Sequence, residues 1–173
     1  YEADHDARGD RIVMRNIVSQ YFENQQFRSS WSDPQRLDHL IAALIELRSD
    51  GLDPTDYHVN ALQSYRTDLR AKKELTPLDR ADLELLATDA MLVAVYHLYR
   101  GKVDPVKLSS QWNYAQRPAP EADPLTLMAA AINTDRIREA FERNSRLGMV
   151  AGGSETLGYA AEALLLANDL DAP

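Results

Sequence analysis

Four Asp-Pro dipeptides, Asp33-Pro34, Asp53-Pro54, Asp104-Pro105 and Asp123-Pro124, punctuate this chain of 173 residues. Each is a helix start: the carboxylate accepts hydrogen bonds from the first free backbone N–H groups, and proline fits the first helical position, where its missing N–H is not needed. Thr76-Pro77 with Asp79 three residues after Thr76 resembles a capping box and supplies a fifth start. A chain with five such starts has little room for a sheet, and no alternating run of four to eight residues bounded by turn signals is present. The expected fold is all-α, a helical bundle of about six to eight helices with Asp-Pro capped corners.

The apolar periods agree. Over residues 10–26, Ile12, Val13, Ile17, Val18, Tyr21 and Phe22 fall on one helical face. The connection QFRSSWSDP follows, with Phe27 and Trp31 expected to turn inward. A second helix is expected over residues 33–50, with Leu37, Leu40, Ile41, Leu44, Ile45 and Leu47 as its stripe and Gly51 as its stop. The longest is expected over residues 78–100, where Leu83, Leu86, Ala87, Ala90, Met91, Ala94, Val95 and Leu98 keep the period and Gly101 follows. It is apolar enough to be the central helix. Beyond the proline-rich RPAPEADP, LTLMAAAI and DRIREAFER predict two short helices.

Four of the seven glycines lie in RLGMVAGGSETLGY, which places a junction there: residues 1–146 form one helical domain, and residues 147–173 a glycine-rich joint and a terminal helix carrying Leu164 and Leu165.

Composition removes several functions. The net charge is −8, and the bases are scattered, so the electrostatic footprint of a nucleic-acid binder is missing. No run approaches the roughly 18–20 apolar residues of a membrane span, and the opening YEADHDARGD has no signal-peptide pattern, so any signal peptide is expected to have been removed already. Cysteine is absent, which excludes thiolate nucleophiles, thiolate zinc sites and disulfides in this chain.

Candidate chemistry is sparse. His5, His39, His58 and His97 show no i+3 or i+4 pairing, so they predict no metal site and read as exposed or capping; no cofactor is expected. G-x-S-x-G is missing, and AGGSETLG lacks the lysine of a phosphate loop, leaving Ser154 as a cap. Carboxylate pairs such as Asp79 with Asp82 and Glu139 with Glu142 read as solvated surface. The densest stretch, YHLYRGKVDPVKLSSQWNY, has a structural reading as the corner closing the long helix. A second reading makes it a docking or binding surface, with Arg100, Lys102 and Lys107 beside Trp112 and Tyr114 offering charge and stacking to an acidic or sugar-containing ligand.

Tyr21-Phe22, Phe27 and Trp31, then DGLDPTDYH (residues 50–58), ADLELLATDAMLVAVYHLYRGKVDPVKL (residues 81–108) and Trp112 together resemble the helical scaffold domain of the large, YkuD-type peptidoglycan L,D-transpeptidases of Gram-negative bacteria. The resemblance covers roughly residues 10–146. In that family the scaffold precedes a peptidoglycan-binding segment and a catalytic domain with a cysteine nucleophile in S-H-G-C. Neither cysteine nor S-H-G occurs here, so the resemblance carries over no catalytic residue. The tail LGYAAEALLLANDLDAP is similar to the beginning of the segment after the scaffold.

The resemblance implies a non-catalytic module of the periplasm or cell envelope that positions a catalytic domain or a cell-wall synthesis protein and touches peptidoglycan. The alternative is a stand-alone periplasmic adaptor that binds another cell-wall protein or peptidoglycan through its aromatic ends. For the scaffold, Trp112 and Tyr114 with Leu164 and Leu165 of the tail are the expected docking residues; a tail helix that buries those leucines against the bundle would favour the adaptor. A third reading, an enzyme with a carboxylate site, is disfavoured by the surface placement of the acidic pairs.

Overall fold

The computed structural model describes residues 6, 7, 10–100, 102 and 123–150. Among them six α-helices follow in order: α1 (Arg15–Asn24), α2 (Pro34–Glu46), α3 (Val59–Arg70), α4 (Pro77–Arg100), α5 (Pro124–Asn133) and α6 (Ile137–Val150). Two 3-10 turns, Leu47–Asp50 and Pro54–Tyr57, lie between α2 and α3. The class is all-α. The strand pairing among the described residues is a two-residue antiparallel ribbon, β1 (Asp6–Ala7) against β2 (Asp10–Arg11), with Asp6 opposite Arg11.

The helix starts use the devices written in the sequence. Asp33, Asp53 and Asp123 each accept backbone N–H bonds at the head of their segment, the first from Gln35 at 2.9 Å and the second from Thr55 at 3.0 Å. Thr76 and Asp79 close a capping box: the Thr76 hydroxyl accepts the Asp79 N–H at 3.1 Å and donates to the Asp79 carboxylate at 2.7 Å. Asp104-Pro105 lies outside the described residues.

α4 is the axis. Residues 86–94 are all buried, so the helix is enclosed on every side there, and α1, α2, α3, α6 and the Pro54–Tyr57 turn pack around it. Leu37, Leu40, Ile41, Leu44 and Leu47 of the expected α2 stripe are buried, whereas Ile45 is exposed. Each fully buried leucine contributes about 1.5–3 kcal/mol of transfer free energy. No helix among the described residues is long and apolar enough to cross a membrane.

Three expectations need correction. The first helix begins at Arg15 rather than near Asp10, because the N–H groups of Val13 and Met14 are bound by a carboxylate of α4; Ile12 is buried ahead of the helix, while Val13 and Ile17 are exposed. Trp31 turns inward and is completely buried, but Phe27 points out and is 76% exposed. The expected helix over residues 33–50 is α2 followed by the tighter Leu47–Asp50 turn, which stops at Gly51 as the sequence indicates.

The outward turn of Phe27 follows from how α1 ends. Its N–H bonds the Phe22 carbonyl at 2.8 Å and the Gln26 N–H bonds Glu23 at 3.0 Å, the paired pattern of a Schellman stop. Both Gln26 and Phe27 take positive φ, 53° and 55°, which reverses the chain and swings the ring to solvent. The same bond pair ends the helical segments at Gly51, Lys72 and Asp135, all with positive φ.

Candidate functional site

Two groups of polar side chains among the described residues converge on α4. In the middle of the helix, two carboxylates reach the segments that cross it. Glu84 accepts the N–H groups of Ser30 at 2.8 Å and Trp31 at 2.9 Å, together with the Ser29 hydroxyl. The connection is thereby pinned so that the Trp31 indole N–H meets the Thr88 hydroxyl at 3.0 Å and the Ser30 and Tyr21 hydroxyls pair at 2.8 Å. Burial pushes the Tyr21 phenol up from its ordinary range.

Asp89, completely buried, holds three partners. Its Oδ1 accepts the Met14 N–H at 2.7 Å, and its Oδ2 accepts the Val13 N–H at 3.0 Å and lies 2.8 Å from His58 Nε2. The other His58 nitrogen, Nδ1, stands 3.4 Å from the Asp10 carboxylate. His58 is itself buried and takes a positive φ of 55°, where a bulky residue is strained. The expectation that the histidines are exposed or capping fails for His58: its Asp89 partner sits in the core, and the imidazole has to follow it.

A buried His–Asp pair has the ingredients of general acid–base chemistry, but catalysis also needs an imidazole nitrogen aimed at a substrate. Both nitrogens of His58 face carboxylates, and both oxygens of Asp89 are engaged. The geometry ties the N-terminal strand, the start of α1 and the Pro54–Tyr57 turn to one point on α4.

The second place is the C-terminal end of α4. Tyr57, completely buried, puts its hydroxyl 3.0 Å from His97 Nδ1, with the two rings edge to face at 5.7 Å. Asp56 pairs with Lys102, and the ring of Tyr96, half exposed, lies 5.9 Å from that of His97. Burial, then the charges of Asp56 and Asp53, pushes the Tyr57 phenol up to about 12. Burial and then the Lys102 cation lower His97. Hydrogen bonds from Thr55 hold Asp53 below the usual carboxylate range.

Of the expected docking residues, Lys102 is exposed and pairs with Asp56. Arg100 is the last residue of α4. Lys107, Trp112, Tyr114, Leu164 and Leu165 lie outside the described residues, as does the terminal helix; the expected junction near residue 146 falls within α6. No group of three His, Asp or Glu side chains among the described residues is arranged to hold a metal. The functional polar residues that periodicity missed are Glu84, Asp89 and His58. Asp89 has a signal: it is the one charged residue in LLATDAMLVAV, and a charge in an otherwise apolar central helix must be paired.

The segment DGLDPTDYH emerges as one clasp. Gly51 stops the preceding turn at φ 78°, Asp53 caps the next, Asp56 meets Lys102, Tyr57 meets His97 and His58 meets Asp89. No curated protein and no solved structure matches the chain. A family model described as a Scaffold domain matches residues 16–145, from the first turn of α1 well into α6. That span contains every contact of the clasp except the outer Asp10 pairing, and the chain belongs to the Scaffold domain family.

Proposed function

We propose that this protein is the non-catalytic scaffold module of a peptidoglycan L,D-transpeptidase-like protein of the cell envelope, positioning a catalytic domain or a cell-wall synthesis partner. The observation that carries this reading is the use of the clasp. In the D-G-L-D-P-x-D-Y segment on which the transpeptidase resemblance rests, and at the His58 that follows it, Tyr57 and His58 bond α4 and Asp56 pairs with Lys102 just after it, and membership of the Scaffold domain family fits that positioning role. A chain without cysteine has no thiolate for the YkuD-type reaction. Docking is assigned to Arg100 at the end of α4, to Lys102, Lys107, Trp112 and Tyr114 after it, and to Leu164 and Leu165 of the tail.

The second reading, a stand-alone periplasmic adaptor, differs in what the chain binds. Mixing it with a YkuD-type catalytic domain that lacks its own scaffold distinguishes the two. A one-to-one complex by light scattering is the expected result. Sedimentation with purified peptidoglycan sacculi and no complex with the catalytic domain would favour the adaptor, and binding to neither would overturn both.

A further inference from the structure

We propose that Phe27 and Arg28 form a preformed docking knob for a folded protein partner, one that offers an apolar pocket for a phenyl ring and a carboxylate at its rim. The proposal rests on the scaffold reading above and adds to it a contact point away from the end of α4. Of the aromatic residues around the end of α1, Tyr21 and Trp31 are buried in the core, and Phe22 packs edge to face on Tyr21. Phe27 has no such place: it is 76% exposed.

Its backbone separates this ring from an apolar residue scattered on a surface. Gln26 and Phe27 both hold positive φ, 53° and 55°, a region that a bulky residue rarely adopts. Glycine would end α1 with the same bonds and no strain. The fold gains no burial from the ring in exchange, which points to a use outside the fold. The ring is also held on both sides. The Phe27 N–H is fixed on the Phe22 carbonyl at 2.8 Å and the Arg28 N–H on the Gln25 carbonyl at 3.1 Å, and Glu84 ties Ser29, Ser30 and Trp31 to α4. A clamped aromatic loses little freedom on binding, so it can carry a large part of an interface.

Arg28 sets the charge of the partner. It is exposed, its guanidinium donates to the Gln26 side-chain oxygen at 3.5 Å, and it has no ion pair among the described residues of a chain whose net charge is −8. A free cation beside a presented ring is complementary to a carboxylate at the mouth of an apolar pocket. The knob hangs from Glu84, about 24 Å along α4 from Arg100. A partner that engages both has the dimensions of a folded domain rather than of a short peptide.

The test is calorimetric titration of the intact chain with the YkuD-type catalytic domain that lacks its own scaffold, accompanied by thermal melts of every variant. Phe27→Ala removes an exposed ring, so its melting temperature should stay at the wild-type value while binding weakens roughly thirtyfold, as for an aromatic hot spot. Phe27→Gly also relieves the left-handed strain and should melt higher than the wild type while binding as poorly. Arg28→Glu should weaken binding by roughly tenfold at low ionic strength and progressively less as salt is added. Wild-type affinity in Phe27→Ala, a lowered melting temperature in Phe27→Gly, or an Arg28→Glu effect indifferent to salt would overturn the knob and leave the scaffold reading standing. No binding by the wild type would overturn both. A loss in Phe27→Ala that is seen with peptidoglycan sacculi or in self-association, and not with the catalytic domain, would also overturn it, assigning the ring to sugar or to a second copy of the chain.

Discussion

Asp89 is the residue on which most of the molecule hangs. It joins the start of α1 and the His58 turn to the helix axis, and it does so fully shielded from water. Removing one side of a buried hydrogen-bonded network leaves its partners unsatisfied, at a cost of 3–5 kcal/mol by order of magnitude. Asp89→Ala should therefore lower unfolding stability by about that amount in urea titrations, with the largest loss of amide protection around Val13 and Met14. Asp89→Asn keeps one acceptor oxygen and should cost less. At this scale the sequence was half legible. Trp31 was correctly expected inside, but Phe27 was not separable from it, because the decision lies in two positive φ angles at residues that give no glycine signal. Asp89 was legible in principle, since its neighbours are apolar; its partners, 31 and 76 positions away, were not.

At the scale of the elements, starts were plain in the sequence and stops were not. Asp33, Asp53, Thr76 and Asp123 cap where their chemistry indicates, because a cap needs only local atoms. Stops are harder: Gly51 announced itself, but Gln26, Lys72 and Asp135 take the same left-handed position without being glycine. The difference is testable. Gly51→Ala meets no atom within 4 Å, so its cost is backbone strain alone, about 1 kcal/mol. Lys72→Gly removes the same strain and should stabilise the fold by several tenths of a kcal/mol up to about 1 kcal/mol, the relieved left-handed strain outweighing the added chain entropy. Thermal melts of the two variants should move in opposite directions. The long α4 was read within one residue of its observed start because its capping box and its period coincide; α1 was read too long because a tertiary carboxylate, rather than a local one, sets its beginning.

For the whole molecule, the polar groups titrate in the sense of a fold secured by carboxylates. Asp53 and Asp123 sit below 3.8 when folded, mainly through hydrogen bonds from Thr55 and Thr126. Their contribution is complete above 3.8 and is lost as pH falls through the lower folded values, because the unfolded chain then binds more protons than the folded one. His97, also depressed, adds a contribution that is complete above 6.5 and declines below it. Urea midpoints should accordingly begin to show a His97-dependent fall below pH 6.5, absent in His97→Gln, and a steeper one below pH 3.8. Unchanged midpoints in wild type and variant between pH 7.5 and 5 would remove His97 from this description.

The most direct measurement of the central claim joins chemistry to stability. Purified protein is incubated with tetrapeptide-containing muropeptides, the products are resolved by mass spectrometry, and melting temperatures are recorded for wild type, Asp89→Asn and His58→Gln. A fold that uses His58 and Asp89 only for position predicts no cross-linked or trimmed product from any of the three and lowered melting temperatures for both variants. Product formed by the wild type and abolished in either variant at an unchanged melting temperature would contradict it.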